Sequence, residues 1–458
     1  MRLLLNYLQQ FGHFQRNARL YLLNNMLSGV TTGILLVLYN LYLISLGYGA
    51  DFIGVVLFVG TIGAGVAIFP AGICIDRFGG KAVLIWSNLL IGFAGVGQIL
   101  FRQPIPLLAS AFLAGIGAAC TIVVNAPFLS MNSTPGERPH LFSLNIALGL
   151  VTTVVGNIIG GVLPVWFRST AWFMAPLPSW LHLVLVDQAG PRSYQLSLLF
   201  AGAIAVPSLV PLFMLKDIGH PTLARPGLAL PRFDSSLLLS IRSLVVRPIF
   251  FLILVQVMIG TGAGLFIPYF NIYFVQDLKA SPALFGLLSG GATAVTALFT
   301  LGAPLLARRI GKVNSVVVTQ ASSIPLLVTI GLIPLLPVAA TLYLLRQGLM
   351  DMSAGVLQVY SMEAVAEQHR GIANSGYQAA FLVPWALMAP IGGVIITHYG
   401  YTAVFIGGAL SYALASAILW GKFGRDREKE FEHGGESATG RLATEEKSGL
   451  SSSEMLHS

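Results

Sequence analysis

Residues 72–81 read Gly72-Ile73-Cys74-Ile75-Asp76-Arg77-Phe78-Gly79-Gly80-Lys81. Within these ten positions the chain leaves one apolar run, 52–75, presents Asp76, Arg77 and Lys81, and enters a second run, 82–101. Each run is long enough for a helix to cross the hydrocarbon core of a bilayer, which takes about 20 apolar residues. Gly79 and Gly80 supply the backbone freedom that a tight reversal needs. Gly72 lets a neighbouring helix approach closely. The stretch therefore reads as the turn of a membrane hairpin, with its charges held in water.

The rest of the chain repeats this pattern. Of its 458 residues 55% are hydrophobic and only 10% charged, and the mean hydropathy is +0.79. A soluble domain carries roughly 25% charged residues, so there are too few here to cover a wet surface, and the main solvent is lipid. Twelve segments qualify as spans, near 20–46, 52–75, 82–101, 104–130, 141–166, 194–215, 248–276, 283–307, 313–334, 336–361, 371–397 and 401–421. All are continuous and far longer than the roughly 9–11 residues of a barrel strand. An all-α membrane protein with twelve transmembrane helices is expected. The 50 glycines and 24 prolines fit it, because both residues are tolerated in membrane helices. Cys74 and Cys120 fall inside apolar runs, which argues against a disulfide. The first residues have no sustained apolar core and no cleavage pattern, and read as a leader to the first span.

Charge sets the orientation. With the N-terminus inside, 21 of the 26 Lys and Arg residues fall on the inner side and four (Arg102, Arg168, Arg192, Lys279) on the outer, while Arg346 lies within a span. Cytoplasmic loops carry the excess of Lys and Arg, so both termini are expected in the cytoplasm, which requires an even number of spans. The net charge of +8 sits at span ends and forms no basic domain, so a nucleic-acid partner is excluded. The chain divides into an N-terminal six-helix half (1–216), a cytoplasmic linker (217–247), a C-terminal six-helix half (248–421) and a disordered cytoplasmic tail (422–458). Leu237–Val246 in the linker reads as a short interfacial helix. Residues 167–193 form a long outer loop whose Trp172 and Trp180 favour the membrane interface.

The halves align on each other. Tyr39-Asn40-Leu41-Tyr42 matches Phe270-Asn271-Ile272-Tyr273, and Gly33 matches Gly264, both at an offset of 231. Gly54 matches Gly286, Gly79 matches Gly311, and Gly160-Gly161 matches Gly392-Gly393, all at 232.

The 72–81 stretch resembles the major facilitator superfamily signature between the second and third helices, G-x-x-x-D-R-x-G-R-R/K, with Gly80 where Arg or Lys is common. The resemblance covers about residues 15–421. It implies two six-helix bundles in the major facilitator fold and a secondary active transporter working by alternating access. It also implies that Gly72, Asp76, Arg77, Gly79, Gly80 and Lys81 form a gating motif. Asp76 would face the N-terminal end of the eleventh helix near Gly371, where a carboxylate gains about 0.3–1 kcal/mol, and would hold the cytoplasmic side closed. In the second copy Arg308, Arg309, Gly311 and Lys312 stand instead, and Arg308 is expected to pair with Glu137. Gly156-Asn157-Ile158-Ile159-Gly160-Gly161 resembles a weakened antiporter motif, G-P-x-x-G-G, with Asn157 where Pro is usual. Close helix packing explains it equally well.

The resemblance further implies that spans 1, 4, 7 and 10 line a central cavity. Polar residues inside a membrane are costly and mark function. The substrate-binding candidates are Asn25, Thr32, Tyr39 and Asn40 with Ser28 in span 1, Asn125 with Thr121 in span 4, Gln256, Asn271 and Tyr273 in span 7, and Arg346, Gln347, Asp351 and Gln358 in span 10. Arg346 would meet an anionic group of the solute and Asp351 would carry a proton; a structural network is the other reading. Arg346 and Asp351 stand about 140° apart around the helix, too far for direct pairing. Asn40 and Asn271 read equally as helix-packing bonds.

Neither H-E-x-x-H, G-x-S-x-G, a Walker loop nor G-x-G-x-x-G occurs, and the eight histidines lack metal-ligand spacing. No enzyme, cofactor or metal is therefore expected. The expected partners are a small organic solute, protons as an option, and the bilayer, with the chain acting as a monomer in the cell membrane, of the bacterial inner-membrane kind. Export of a drug or metabolite is favoured over nutrient uptake, and a transporter-like receptor or lipid-handling protein is the alternative.

Overall fold

The computed structural model describes residues 14–134, 136–182, 184–216, 248–363 and 370–424, without the side chains of 248–249 and 370–373. The linker 217–247 with its expected interfacial helix, the tail beyond Gly424 and residues 1–13 lie outside the described residues.

The described residues are helical almost throughout. In chain order the long helices are α1 (Arg16–Ser45), α2 (Ala50–Leu100), α3 (Pro104–Met131), α4 (Arg138–Ser169), α5 (Ala189–Phe213), α6 (Pro248–Phe266), α7 (Pro282–Ile310), α8 (Lys312–Leu332), α9 (Leu336–Glu363), α10 (Arg370–Tyr399) and α11 (Tyr401–Phe423). Among the described residues, ten helical stretches are long and apolar enough to cross a membrane. Helix α9, of 28 residues, is not among those ten, because Arg346, Gln347, Asp351 and Gln358 dilute its apolar character.

Two expected boundaries change. Spans 2 and 3 are joined in the single 51-residue helix α2, broken at Gly79 with φ 83° and ψ 156°. A backbone of that kind is open to glycine and strained for any other residue, so the hairpin turns on one residue and no loop intervenes. Gly311, with φ 85° and ψ 157°, does the same between α7 and α8. Span 7 is also irregular. Helix α6 passes at Ile267–Tyr269 into a 3₁₀ turn and ends in a π-helical turn, Tyr273–Asp277. Pro268 lacks the N–H that would continue the α pattern, and backbone carbonyls are released there.

The repeat read from the sequence recurs in the bonds. Tyr42 Oη donates to the Ile99 carbonyl at 2.7 Å. Tyr273 Oη donates to the Ile330 carbonyl, also at 2.7 Å, and both pairs are related by 231 residues. Gly160 packs on α1, where an added methyl would stand 2.9 Å from Ile34 Cα. Its counterpart Gly392 packs on α6, with Leu265 Cα at 3.0 Å from the same position.

The first repeat meets the second through α4 on α7, α2 on α10, and α1 on the stretch after α6. Glycine makes the first two seams. A methyl on Gly54 would lie 2.5 Å from Pro390 Cα, and one on Gly393 2.7 Å from Asp51 Cα. Across the other seam, a methyl on Gly161 would meet Pro282 O at 2.6 Å, and one on Gly286 would meet Gly161 Cα at 2.9 Å. The pattern Gly160-Gly161 and Gly392-Gly393 thus divides its work: the first glycine packs within its repeat and the second across repeats.

These seams lie towards one end of the bundle, the end with the turns at 46–49 and 278–281, here called the Gly47 end. At the opposite Gly79 end, Asp76, Arg77, Arg308 and Arg309 are exposed. The expected pairing of Arg308 with Glu137 does not form; Glu137 Oε2 instead accepts from the Thr134 amide at 3.4 Å within its own turn. With the seams concentrated at the Gly47 end, nothing described brings those two turns together.

The loop between α4 and α5 is well built. Arg192, 4% exposed, donates to the carbonyls of Val186 and Ala175 at 2.8 Å and of Asp187 at 2.5 Å. Arg102 donates to the Leu185 carbonyl at 2.6 Å. The loop is thereby pinned to the Gly47 end of the first repeat, and Trp172 and Trp180 remain exposed.

Candidate solute cavity and charge relay

The polar side chains singled out in the sequence separate into three groups. The first joins the repeats. Asn40 Nδ2 donates to the Pro268 carbonyl at 2.7 Å, and Asn271 Nδ2 donates to the Val37 carbonyl at 3.3 Å. Since both Asn40 to Asn271 and Val37 to Pro268 are steps of 231, the two bonds are one contact repeated about a pseudo-two-fold axis. Asn271 Oδ1 also accepts from its neighbour Ile272 at 2.9 Å. The irregular backbone after α6 supplies the Pro268 acceptor. The phenol of Tyr39, nearby in sequence, is buried with no partner among the described residues.

A second group packs within the repeats. Asn25 donates to Asn145 Oδ1 at 2.9 Å and ties α1 to α4. Thr121 donates to Ser87 Oγ at 3.1 Å and ties α3 to α2. Tyr273, as described, is spent on Ile330. Thr32 is exposed and donates back to the Ser28 carbonyl at 2.9 Å. Asn125 is half-buried and has no hydrogen-bond partner among the described residues.

The third group is a relay in the second repeat. Arg346 and Asp351 do not touch, as their helical spacing requires; Gln347 bridges them. Arg346 Nη1 donates to Gln347 Oε1 at 3.0 Å, and Gln347 Nε2 donates to Asp351 Oδ2 at 2.9 Å. Thr296 of α7 donates to the same carboxylate oxygen at 2.8 Å. On the far side Arg346 Nη2 donates to Tyr412 Oη of α11 at 2.9 Å, and the guanidinium lies 4.9 Å from the centroid of the Phe266 ring. Arg346 is only 1% exposed. A desolvated cation over an aromatic face recovers about 2 kcal/mol, which helps keep a charge there. Tyr412, Thr296 and Phe266 were not read from the sequence as site residues; a lone Tyr, Thr or Phe in an apolar helix gives no signal of its own.

Beside this relay, towards the Gly79 end, α6, α8, α9 and α10 enclose a cavity of about 200 Å³. Gln256 and Gln358 line it, as do Gln320, Ser353 and Gln378, with Met350 and Phe381 on the apolar wall. Asp76, the centre of the gating motif, makes no hydrogen bond or ion pair among the described residues. The cysteines are free, consistent with their placement in apolar helices.

A bacterial homologue of the human lysosomal transporter Spinster, inward-facing and unoccupied, superposes with a TM-score of 0.69 at 14% identity, over 88% of this chain and 95% of that one. A bacterial homologue of the iron transporter ferroportin, in an inward-facing state, gives 0.66 at 19% identity over 88% and 98%. At these identities the likeness establishes the fold. In sequence, an uncharacterized MFS-type transporter of Bacillus subtilis (strain 168), YfkF, is 26% identical over 136 residues, which is 29% of this chain and 33% of that protein. The chain thus aligns with only a third of the length of that relative. The family model of the Major Facilitator Superfamily matches residues 21–355 and again 252–454. With fold, repeat and turn motif in agreement, this multi-pass membrane protein belongs to the major facilitator superfamily.

Proposed function

We propose that this chain is a secondary active transporter that moves a small organic solute by rocking its two repeats between states open at the Gly47 end and at the Gly79 end. The observation that carries the reading is the asymmetry of closure. Two glycine seams and the reciprocal Asn40 and Asn271 bonds hold the Gly47 end shut, while Asp76 at the other end is exposed and unpaired among the described residues. Alternating access needs such a pair of interchangeable seals around a fixed site.

In this reading the chain crosses the bilayer twelve times, with the limbs of α2 on either side of Gly79 counted separately and α9 included. Lys and Arg are concentrated at the Gly79 end, which makes that end and both termini cytoplasmic. The state described is then inward-open. The halves are 1–216 and 248–421, joined by the linker 217–247. The cavity beside Gln256 and Gln358 belongs to the solute site, and Asp351 carries the coupling proton when protons drive transport. A bacterial inner membrane suits the bacterial relative.

Side-specific labelling of Thr32→Cys tests the reading, with Cys74 and Cys120 replaced by serine and a membrane-impermeant maleimide applied to oriented vesicles. Labelling from both faces is expected. Labelling from one face only would reduce the protein to a fixed funnel, as a receptor would be.

A further inference from the structure

The polar groups of the second repeat are sorted by charge. Arg346 is not among the residues lining the cavity; its Nη1 is engaged by Gln347, its Nη2 by Tyr412 and its face by Phe266, while its buried Nε has no partner among the described residues. At 1% exposure it offers no approach to a solute anion. Asp351 already accepts from Gln347 and Thr296 through one oxygen. The cavity of about 200 Å³ next to this relay is lined by different chemistry. Its polar side chains are the amides of Gln256, Gln320, Gln358 and Gln378, the Ser353 hydroxyl and the Tyr377 phenol, none of them an acid or a base of the Asp, Glu, Lys or Arg kind.

These amides are weakly committed to the protein. Gln320 Nε2 reaches Ser353 Oγ at 3.4 Å, and Gln320 Oε1 receives Ser416 Oγ at 3.4 Å. Gln358 Nε2 reaches Asn374 Oδ1 at 3.4 Å. A well-made N–H···O bond spans about 2.7–3.2 Å, so each contact leaves capacity unused. Gln256 and Gln378 have no hydrogen-bond partner among the described residues. Gln256 is buried and Gln378 exposed at the cavity mouth, so the lining offers amide donors and acceptors that the protein itself does not use. A ligand with several donors and acceptors would satisfy them, and a net charge on it would find no counter-charge in the lining.

We infer that this cavity selects an uncharged, ring-sized solute with one hydrogen-bonding edge and one apolar face, and rejects its anionic derivatives. The edge meets the four amides and the face lies against Phe381 and Met350. Arg346 is thereby a buried structural cation and not an anion ligand. The inference rests on the transport reading above for its setting, but it concerns binding alone.

The test uses the purified full-length protein and thermal-shift titrations with adenosine, uridine and glucose, each paired with its phosphate monoester. At least one neutral probe is expected to stabilise the protein saturably while its phosphate does not. Gln378→Leu at the half-open wall and Gln320→Leu in the depth should each weaken that binding about tenfold, the effect of losing an amide contact that leaves its partner unsatisfied. Gln378 is exposed, so its variant folds even where Gln320→Leu does not. Preferential binding of a phosphate ester, no binding by any neutral probe, or indifference to Gln378→Leu would each overturn the inference. Thr32→Cys labelling reads alternation without any ligand, so failure here is distinguishable from failure of the transport reading.

Discussion

Arg346 shows how a charge is kept inside a membrane bundle. Two hydrogen bonds and an aromatic face hold it, and a glutamine links it to the nearest carboxylate. Hydrogen bonds to charged groups contribute about 1.5–3 kcal/mol. Arg346→Met should therefore lower the unfolding midpoint by several degrees, and Asp351→Asn in the same chain should cost less than it does alone, because the two act through Gln347. A double-mutant cycle on thermal stability checks this; additive effects would show that the bridge carries no coupling. The amide pair at the Gly47 end behaves differently. Asn40→Ala removes the donor to Pro268, for about 0.5–1.5 kcal/mol. By the pseudo-symmetry Asn271→Ala should cost about the same. Either change should raise the labelling rate of Thr32→Cys from the Gly47 side by up to about tenfold. Asp76→Asn, in contrast, should leave the state closed at the Gly47 end untouched and weaken only the opposite state, read as slower labelling from the Gly47 side. The sequence disclosed Asn40 and Asn271 through their common offset. That each reaches a carbonyl beside the other was not legible, because the symmetry axis exists only in three dimensions. Similarly, Arg346 and Asp351 stood out as rare charges, whereas Tyr412 and Thr296, which complete the relay, are ordinary residues for a membrane helix.

At the scale of elements, glycine position was the most informative sequence feature, and the structure gives it a cause. Gly286 faces the backbone of α4 so closely that any side chain must push the helices apart. Gly286→Val should oppose closure of the Gly47 end by about 1–3 kcal/mol, the usual cost of overpacking, and shift the protein towards the state open at that end. Gly302, with nothing beside it, provides the control: Gly302→Ala should leave the labelling pattern unchanged. Long apolar runs made most helices legible to within a few residues. The end of α6 was not, since a 3₁₀ and a π turn have no apolar signature of their own and Pro268 was the one local sign. The joining of spans 2 and 3 was also hidden, because a glycine can turn a chain with or without a loop.

For the whole molecule, the two repeats share a backbone plan and divide their chemistry. The first carries Asp76 at its Gly79 turn, and the second carries the relay and the amide-lined cavity. The all-helical membrane class reflects composition along the entire chain, so it was readable early. Which end is closed was not readable, because the seams at Gly54, Gly161, Gly286 and Gly393 arise only from how the two repeats meet in three dimensions. In the proposed function the Gly47 seam opens and closes. A Cβ on Gly290 would lie 3.3 Å from Val154 Cγ1 across the α4 and α7 seam, so Val154→Cys with Gly290→Cys brings two sulfurs within disulfide reach. With Cys74 and Cys120 replaced by serine, oxidation of this pair should abolish labelling of Thr32→Cys from the Gly47 side, preserve it from the Gly79 side, and be reversed by a reductant. Undiminished labelling from the Gly47 side in the fully cross-linked protein would contradict the account.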